Sequence, residues 1–314
     1  MSVTTIDTHY AGRATLAASY LVHEGDQIAV VETNTSLAVP RILAAIEAAG
    51  RTTDDVIHVI VTHAHLDHAG GAGLLMEACP NATLHAHPKA ARHLVDPTKL
   101  VQSSRQVYGD EFDQLYGEVR PVPESRVSIP EDGEQVVFGS HTLTFLYTRG
   151  HANHHFVVHD TGSDGVFTGD AFGIVYPVLQ AEGQPVFVFP STTPTDFDEP
   201  AAHEAVDRIL ETGASVAFPT HFGPVTPLRP VADELHRLLT AHCALVDEAD
   251  GANVPDAELD GWFATRVAAL FDVELTRHGK QDDAAARSWV AFDVELNAQG
   301  LAFAVRKRRF KRGR

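Results

Sequence analysis

The sequence predicts a layered α/β fold with a helical C-terminal extension, on three observations. Short apolar runs alternate with segments of helical period as far as about residue 225. From about residue 229 onward only helical period is left, at 231–248, 256–272 and 282–297. Finally, several apolar runs end abruptly on a histidine or an aspartate, the pattern of a sheet that holds polar groups at its edge.

In order, 14–22 and 27–31 read as strands, the second being Gln27-Ile28-Ala29-Val30-Val31. Residues 40–49 have helical spacing, with Ile42, Leu43 and Ile46 on one side and Gly50 as the stop. Residues 56–61 form a buried strand. A helix follows over 70–78, ended by Pro80, then a strand at 81–85 and a helix opened by Pro88. Residues 96–130 are polar and aromatic, with Tyr108, Phe112 and Tyr116, and read as one helix and a loop walling a site. Strands are expected at 135–138, 142–148, 155–159 and 166–168, the last reached through the turn at 161–165. Residues 171–200 read as a second pocket-shaping loop, 199–210 as a helix and 214–218 as the last strand. The expected partition is a catalytic domain, 1–228, and a helical appendage with a basic tail, 229–314.

Composition bounds the function. The chain has 314 residues, 44% of them hydrophobic, enough for a sizeable core. No apolar run nears the roughly 20 residues that span a bilayer, and Met1 to Tyr10 shows no secretory signal, so no membrane partner is expected. Cys79 and Cys243 stand alone, giving neither a disulfide framework nor a Cys-x-x-Cys site, and a reducing cytoplasm is the expected location. The net charge is −18, although the last nine residues carry seven cations, Arg306, Lys307, Arg308, Arg309, Lys311, Arg312 and Arg314. So acidic a body repels phosphate backbones, which disfavours nucleic acid and leaves a small-molecule substrate. The tail reads as a solvated, frayed terminus.

The most informative segment is Thr62-His63-Ala64-His65-Leu66-Asp67-His68, which directly follows the buried strand 56–61. It packs four metal-ligand side chains, His63, His65, Asp67 and His68, into six residues. A lone histidine is more often a core or surface residue, but four such groups at one strand end point to metal. Three later strand ends repeat the design, at Gly150-His151, Gly169-Asp170 and Pro219-Thr220-His221. Each dipeptide alone is a weak signal. In this order, after the His-x-His-x-Asp-His run, they are a strong one.

On these residues the chain, over roughly 14–225, resembles the metallo-β-lactamase superfamily. The resemblance implies an αββα metallo-β-lactamase-type sandwich with the site at one edge. It further implies two divalent metal ions, with His63, His65 and His151 on one, Asp67, His68 and His221 on the other, and Asp170 bridging. Imidazole and carboxylate suit Zn²⁺ best and also accept iron or manganese. Two such cations acidify a shared water toward neutral pH, and the bridging hydroxide attacks a carbonyl or phosphorus centre. Asp67 and Asp170 are therefore the expected catalytic residues, Asp67 with a further part as proton acceptor.

Within the superfamily, Asp170 stands at a bridging position where the true β-lactamases carry another residue. His65 stands where flavodiiron oxygen reductases have an acidic one. The pattern is most similar to the glyoxalase II and lactonase branch, although Arg149-Gly150-His151-Ala152-Asn153 departs from the glyoxalase II run. The expected activity is hydrolysis of an ester, thioester or lactone. The alternatives are a mononuclear iron persulfide dioxygenase-like oxidoreductase and a phosphodiesterase. A homo-oligomer is compatible with the helical appendage. His154, His155, His85 and His87 are not expected to bind metal, while Trp262 and Trp289 are expected in the core and Cys79 is expected inert.

Overall fold

The structure is a computed structural model that describes residues 3–194 and 196–313. The chain divides into two compact units. The first holds residues 1–147, 154–169 and 212–226, and the second 148–153, 170–211 and 227–314.

The first unit contains two sheets. One has six strands in spatial order β1 (Val3–Asp7), β2 (Ala18–Glu24), β3 (Gln27–Val31), β4 (Val56–Val61), β5 (Thr83–Ala86) and β6 (Val127–Ser128). Strands β1 to β3 are antiparallel and β3 to β6 parallel. The other runs β11 (Val216–Pro219), β10 (Gly165–Gly169), β9 (Phe156–Asp160), β8 (His141–Tyr147) and β7 (Gln135–Phe138), antiparallel except for the β10–β11 pair. Helices α1 (Val39–Ala48) and α3 (Ala72–Ala78) make the crossovers that parallel strands require. Also here are α2 (Leu66–Ala69), α4 (Pro88–Val95), α5 (Thr98–Tyr108) and α6 (Phe112–Tyr116).

The two-residue period of a strand sorts the core. Tyr20, Val22, Ala29, Val31 and Ile60 meet Phe145, Phe156, Val158, Phe167 and Phe218 between the sheets. Their neighbours Leu21, Ile28, Val30, Val59 and Val61 face the other way, onto Ile42, Ile46, Leu75 and Met76 of α1 and α3. The expected mixed α/β sandwich with a helical C-terminal region is what the chain forms.

The second unit is built on α7 (Glu199–Glu211), α8 (Leu228–Gly251), α9 (Leu259–Arg277) and α10 (Ala284–Arg312), with α10 lying along α9 and α8. Among the described residues no helix is long and apolar enough to cross a membrane.

Several local expectations need correction. Strand β1 has no counterpart in the sequence reading because only Ile6 of its five residues is buried, as befits an edge strand. Residues 96–130 hold two helices, α5 and α6, and the short strand β6 rather than one helix. The basic tail is not frayed: α10 continues to Arg312, and its cations find a row of carboxylates. Arg306 meets Asp260 at 2.8 Å, Arg308 meets Asp247 at 2.5 Å, Arg309 meets Asp256 at 2.6 Å and Arg312 meets Asp250 at 2.5 Å. Arg314 lies outside the described residues. Trp262 and Trp289 are half-buried rather than core, Trp262 covered by the Arg266 guanidinium 3.6 Å from its ring. Cys79 is buried, and burial pushes its thiol up to about 11, in keeping with an inert residue.

Buried neutral imidazoles couple this fold to pH. His85 packs with its Nε2 2.9 Å from His58 Nδ1, and burial, then the His58 charge, pushes it down to about 3. Burial, then the Lys89 charge, takes His87 to about 4, and burial takes His242 to about 4. Each is easier to protonate unfolded, so these histidines cost no stability above about pH 6.5 and progressively more as pH drops toward 4. We expect His85→Leu to flatten this acid loss by about one proton, about 1.4 kcal/mol per pH unit. Denaturant unfolding between pH 7.5 and 4.5 checks it; an unchanged slope would show that His85 is not held neutral.

Candidate metal centre

In the first unit the donors follow from where β4 ends. The strand is fully buried over Val59, Ile60 and Val61, so the chain leaves the sheet at one fixed point and turns into α2. His63 and His68 are completely buried, and His65 and Asp67 are partly exposed. The turn is tied from below by the segment after β3. Asn34 donates from Nδ2 to the Asp67 carbonyl at 2.7 Å, and the Thr33 hydroxyl donates to the His68 carbonyl at 3.0 Å. The Gly70-Gly71 pair belongs to this fit, since a Cβ at Gly71 would lie 2.8 Å from the carbonyl oxygens of both Thr33 and Thr35.

A partner on one nitrogen of an imidazole fixes where the other points. His221, just beyond β11, has Nδ1 2.8 Å from the Leu16 carbonyl; a carbonyl only accepts, so Nδ1 carries the proton. His221 Nε2 then lies 3.4 Å from Asp67 Oδ2. His68 has Nδ1 3.3 Å from Glu32 Oε2, and its Nε2 is 3.8 Å from Asp67 Oδ2. His63 has Nδ1 3.1 Å from the Thr62 hydroxyl and Nε2 2.9 Å from His65 Nδ1. Burial opposes the charge of Asp67, but the imidazoles of His68, His221 and His65 outweigh it and hold the carboxyl far below the usual carboxylate range.

The donor set fits a metal. One ligand atom from each of Asp67, His68 and His221 falls within 4.8 Å of the other two. A tetrahedral ion with bonds of about 2.0–2.1 Å has ligand–ligand edges of roughly 3.3–3.4 Å. The 3.4 and 3.8 Å separations around Asp67 are at or slightly above that edge.

The second unit brings together the other two expected ligands. His151 Nδ1 donates to the Ser191 carbonyl at 3.0 Å, which leaves Nε2 3.4 Å from Asp170 Oδ2. The Ser191 hydroxyl lies 3.3 Å from the same carboxylate oxygen. A small, mostly apolar cleft beside them is lined by Phe197, Val206, Leu235 and Leu239 as well as His151 and Asp170.

Three features escaped the sequence. Glu32 is buried, accepts from the Thr62 N–H at 3.0 Å and faces His68. Its signal was a carboxylate directly after the buried strand β3. His155 is buried with its ring 4.8 Å from that of His63, and His154 accepts from the Ala64 N–H at 3.3 Å, so both pack against the metal-ligand loop. Their closeness explains Gly169, where a Cβ would sit 2.5 Å from Thr62 Oγ1 and 2.6 Å from His155 Nε2. Lastly, Tyr10 and Tyr116 hold their hydroxyls 3.4 Å apart. Burial raises both phenols, and the Asp67 charge adds to it, so they stay neutral donors near that carboxylate.

A two-sheet sandwich with histidine and aspartate donors at its strand ends defines a metal-site scaffold, and the family is shown directly. The metallo-beta-lactamase superfamily model matches residues 12–221, and the chain belongs to that superfamily. Among relatives, the metallo-beta-lactamase fold-containing protein ST1585 of Sulfurisphaera tokodaii is 28% identical over 177 residues, which are 55% of this chain. The match spans 63% of that relative's length. The crystal structure of ST1585 superposes with a TM-score of 0.62 at 22% identity, covering 75% of this chain and 85% of that one. The metallo-beta-lactamase family protein TTHA1429 of Thermus thermophilus gives 0.61 at 20% identity, covering 99% and 94%. A chemotaxis sensor, ODP, solved as a peroxy diiron species, gives 0.53 at 14%, covering 75% and 91%.

We expect Glu32→Ala to lower metal affinity about 10–100-fold, the usual cost of losing a carboxylate that orients a ligating histidine. Competition titration with a chromophoric chelator reads it. Unchanged affinity would leave Glu32 a purely structural residue.

Proposed function

We propose that the protein is a dinuclear metal-dependent hydrolase of an ester, thioester or lactone. His63, His65 and His151 would hold one ion, Asp67, His68 and His221 the other, and Asp170 would bridge them. The observation that carries this reading is the Asp67–His68–His221 triangle, whose separations suit a small divalent cation, inside a chain of a superfamily built around such ions. Zn²⁺ fits this oxygen and nitrogen set best, with iron or manganese as the other candidates.

When bound, the ions supply Lewis-acid polarisation of the substrate oxygen and a water acidified toward neutral pH. The chain's own residues do the rest. Asp67 stays ionised because three imidazoles surround it, which keeps it a charged oxygen donor for the ion. Tyr10 and Tyr116 remain protonated and can donate to an oxygen that gains charge. Phe197, Val206, Leu235 and Leu239 give His151 and Asp170 an apolar wall. Functionally, we assign catalysis to residues 1–228 and treat 229–314 as a helical appendage; the compact units are a division by packing. A cytoplasmic location fits the two free cysteines.

Metal analysis of natively purified protein, followed by a thioester, lactone, ester and phosphodiester panel, tests the reading. The expected result is two divalent ions per chain and turnover in one of the carbonyl classes. Asp170→Ala should lose most metal and lower kcat/KM at least about a hundredfold. Full metal occupancy in that variant would rule out the bridging role. A single iron per chain with oxygen uptake would replace the hydrolase by an oxidoreductase.

A further inference from the structure

We propose that Thr192 and Asn297 are positioning residues, through which the C-terminal helix α10 holds the ligand atoms of His151 and Asp170 in place. The inference rests on the reading of those two as metal ligands and adds a role for the appendage.

Every link lies in the second unit. Ser191-Thr192-Thr193 forms a strap across the site. Ser191 accepts from His151 Nδ1 at 3.0 Å and reaches Asp170 Oδ2 with its hydroxyl at 3.3 Å. Thr193 donates from its hydroxyl to the His151 carbonyl at 2.6 Å. The strap thus grips the ring and backbone of one ligand and the carboxylate of the other. The middle residue, Thr192, turns away onto α10. Its N–H donates to Asn297 Oδ1 at 2.8 Å, and its hydroxyl lies 2.7 Å from Asn297 Oδ1 and 3.0 Å from the Asn297 carbonyl. Asn297 is itself oriented by donating from Nδ2 to the Asp293 carbonyl at 3.0 Å.

The packing is as specific as the hydrogen bonding. Thr192 and Asn297 are both 2% exposed, so these polar groups have no water to replace a lost partner. One turn further along α10, a Cβ at Gly300 would sit 2.8 Å from the Thr192 carbonyl, so the strap lies directly on the helix backbone. Tyr176 donates its hydroxyl to Asp293 Oδ1 at 3.2 Å and ties the start of the same long loop to α10. A buried amide that presents its oxygen to both donors of one residue fixes that residue's position, and here the neighbours on each side hold a ligand. An anchor for the apolar core would need none of this polar matching.

The test uses the full chain and reads metal rather than turnover. Thr192→Val removes one hydroxyl at nearly constant volume, Thr192→Ser restores it, and Gly300→Ala pushes a methyl against the strap. Far-UV circular dichroism reports folding; if Gly300→Ala unfolds, the Thr192 pair decides. We expect Thr192→Val to weaken Co²⁺ affinity about tenfold, to shift the visible absorption of the bound Co²⁺ and to speed its loss to a chelator. Thr192→Ser should return all three readouts to those of the parent. Parent-like affinity and spectrum in Thr192→Val would overturn the proposal. Parallel His151→Ala and Asp170→Ala variants separate the two levels. If they lose metal while Thr192→Val does not, only the strap is wrong; if they keep it, the ligand reading fails and the strap falls with it.

Discussion

A polar group can act at a fixed point only if the atoms behind it cannot move, and here the histidine rings meet that constraint through the groups placed behind them. His221 spends Nδ1 on the Leu16 carbonyl, His68 sets Nδ1 against Glu32, His63 sets Nδ1 beside Thr62 and His151 spends Nδ1 on the Ser191 carbonyl. For His221 and His151 the remaining nitrogen is then aimed by its partner rather than by a free rotor. The rest of the structure serves those partners. The buried strands β3 and β4 bring Glu32 to Thr62 and His68, and the loop before β2 brings Leu16 to His221. Even the glycines follow, because Gly71 and Gly169 mark places where backbone and histidine rings approach too closely for a side chain.

How much of this was legible in the sequence depended on whether a residue's role was local. The four strand-end motifs were readable because an apolar run and the polar residue after it are adjacent in the chain. The apolar runs of β3 and β4 were readable as strands for the same reason, whereas which of their residues face the second sheet and which face α1 and α3 emerged only from the structure. Glu32 was not readable as an orienting group, since its partners Thr62 and His68 are 30 or more residues away and joined only by the parallel pairing of β3 with β4. His154 and His155 failed in the same way: nothing local says that two histidines after a turn will pack on His63. The basic tail misled for a complementary reason. Seven cations look solvated until α8, α9 and the turn between them supply Asp247, Asp250, Asp256 and Asp260 within reach of one helical face.

The division of labour between core and additions follows from the same physics. A two-sheet core can place donors at strand ends for any member of the superfamily, because that placement needs only β-pairing and burial. It cannot by itself define what the donors meet. In this chain the surroundings of Asp67 come from the 96–120 region, where Tyr108 and Tyr116 join Tyr10 in a cluster with Phe112 and Leu66. Those of His151 and Asp170 come from the loop 171–198 and from α7 and α8, which supply the apolar cleft.

Loops present a difficulty that strands do not. Among its described residues the segment 170–198 has one short 3-10 turn and one β-bridge, Ile174 with Phe189, so few of its backbone groups are satisfied by regular structure, yet Ser191, Thr192 and Thr193 need fixed positions if His151 and Asp170 are to keep theirs. An irregular segment acquires such rigidity only by borrowing it from a neighbouring regular element. Gln180 does part of this within the loop, donating to the Tyr176 and Phe187 carbonyls and accepting from the Phe187 N–H. The remainder falls to α10, whose Asp293, Asn297 and Gly300 are spaced to present one face to Tyr176 and Thr192. A 29-residue helix held along α8 and α9 is a stiff enough object to lend that order. On the proposal above, the long C-terminal helix has a physical use that a lid or a spacer would not supply: it offers fixed polar partners to an irregular loop.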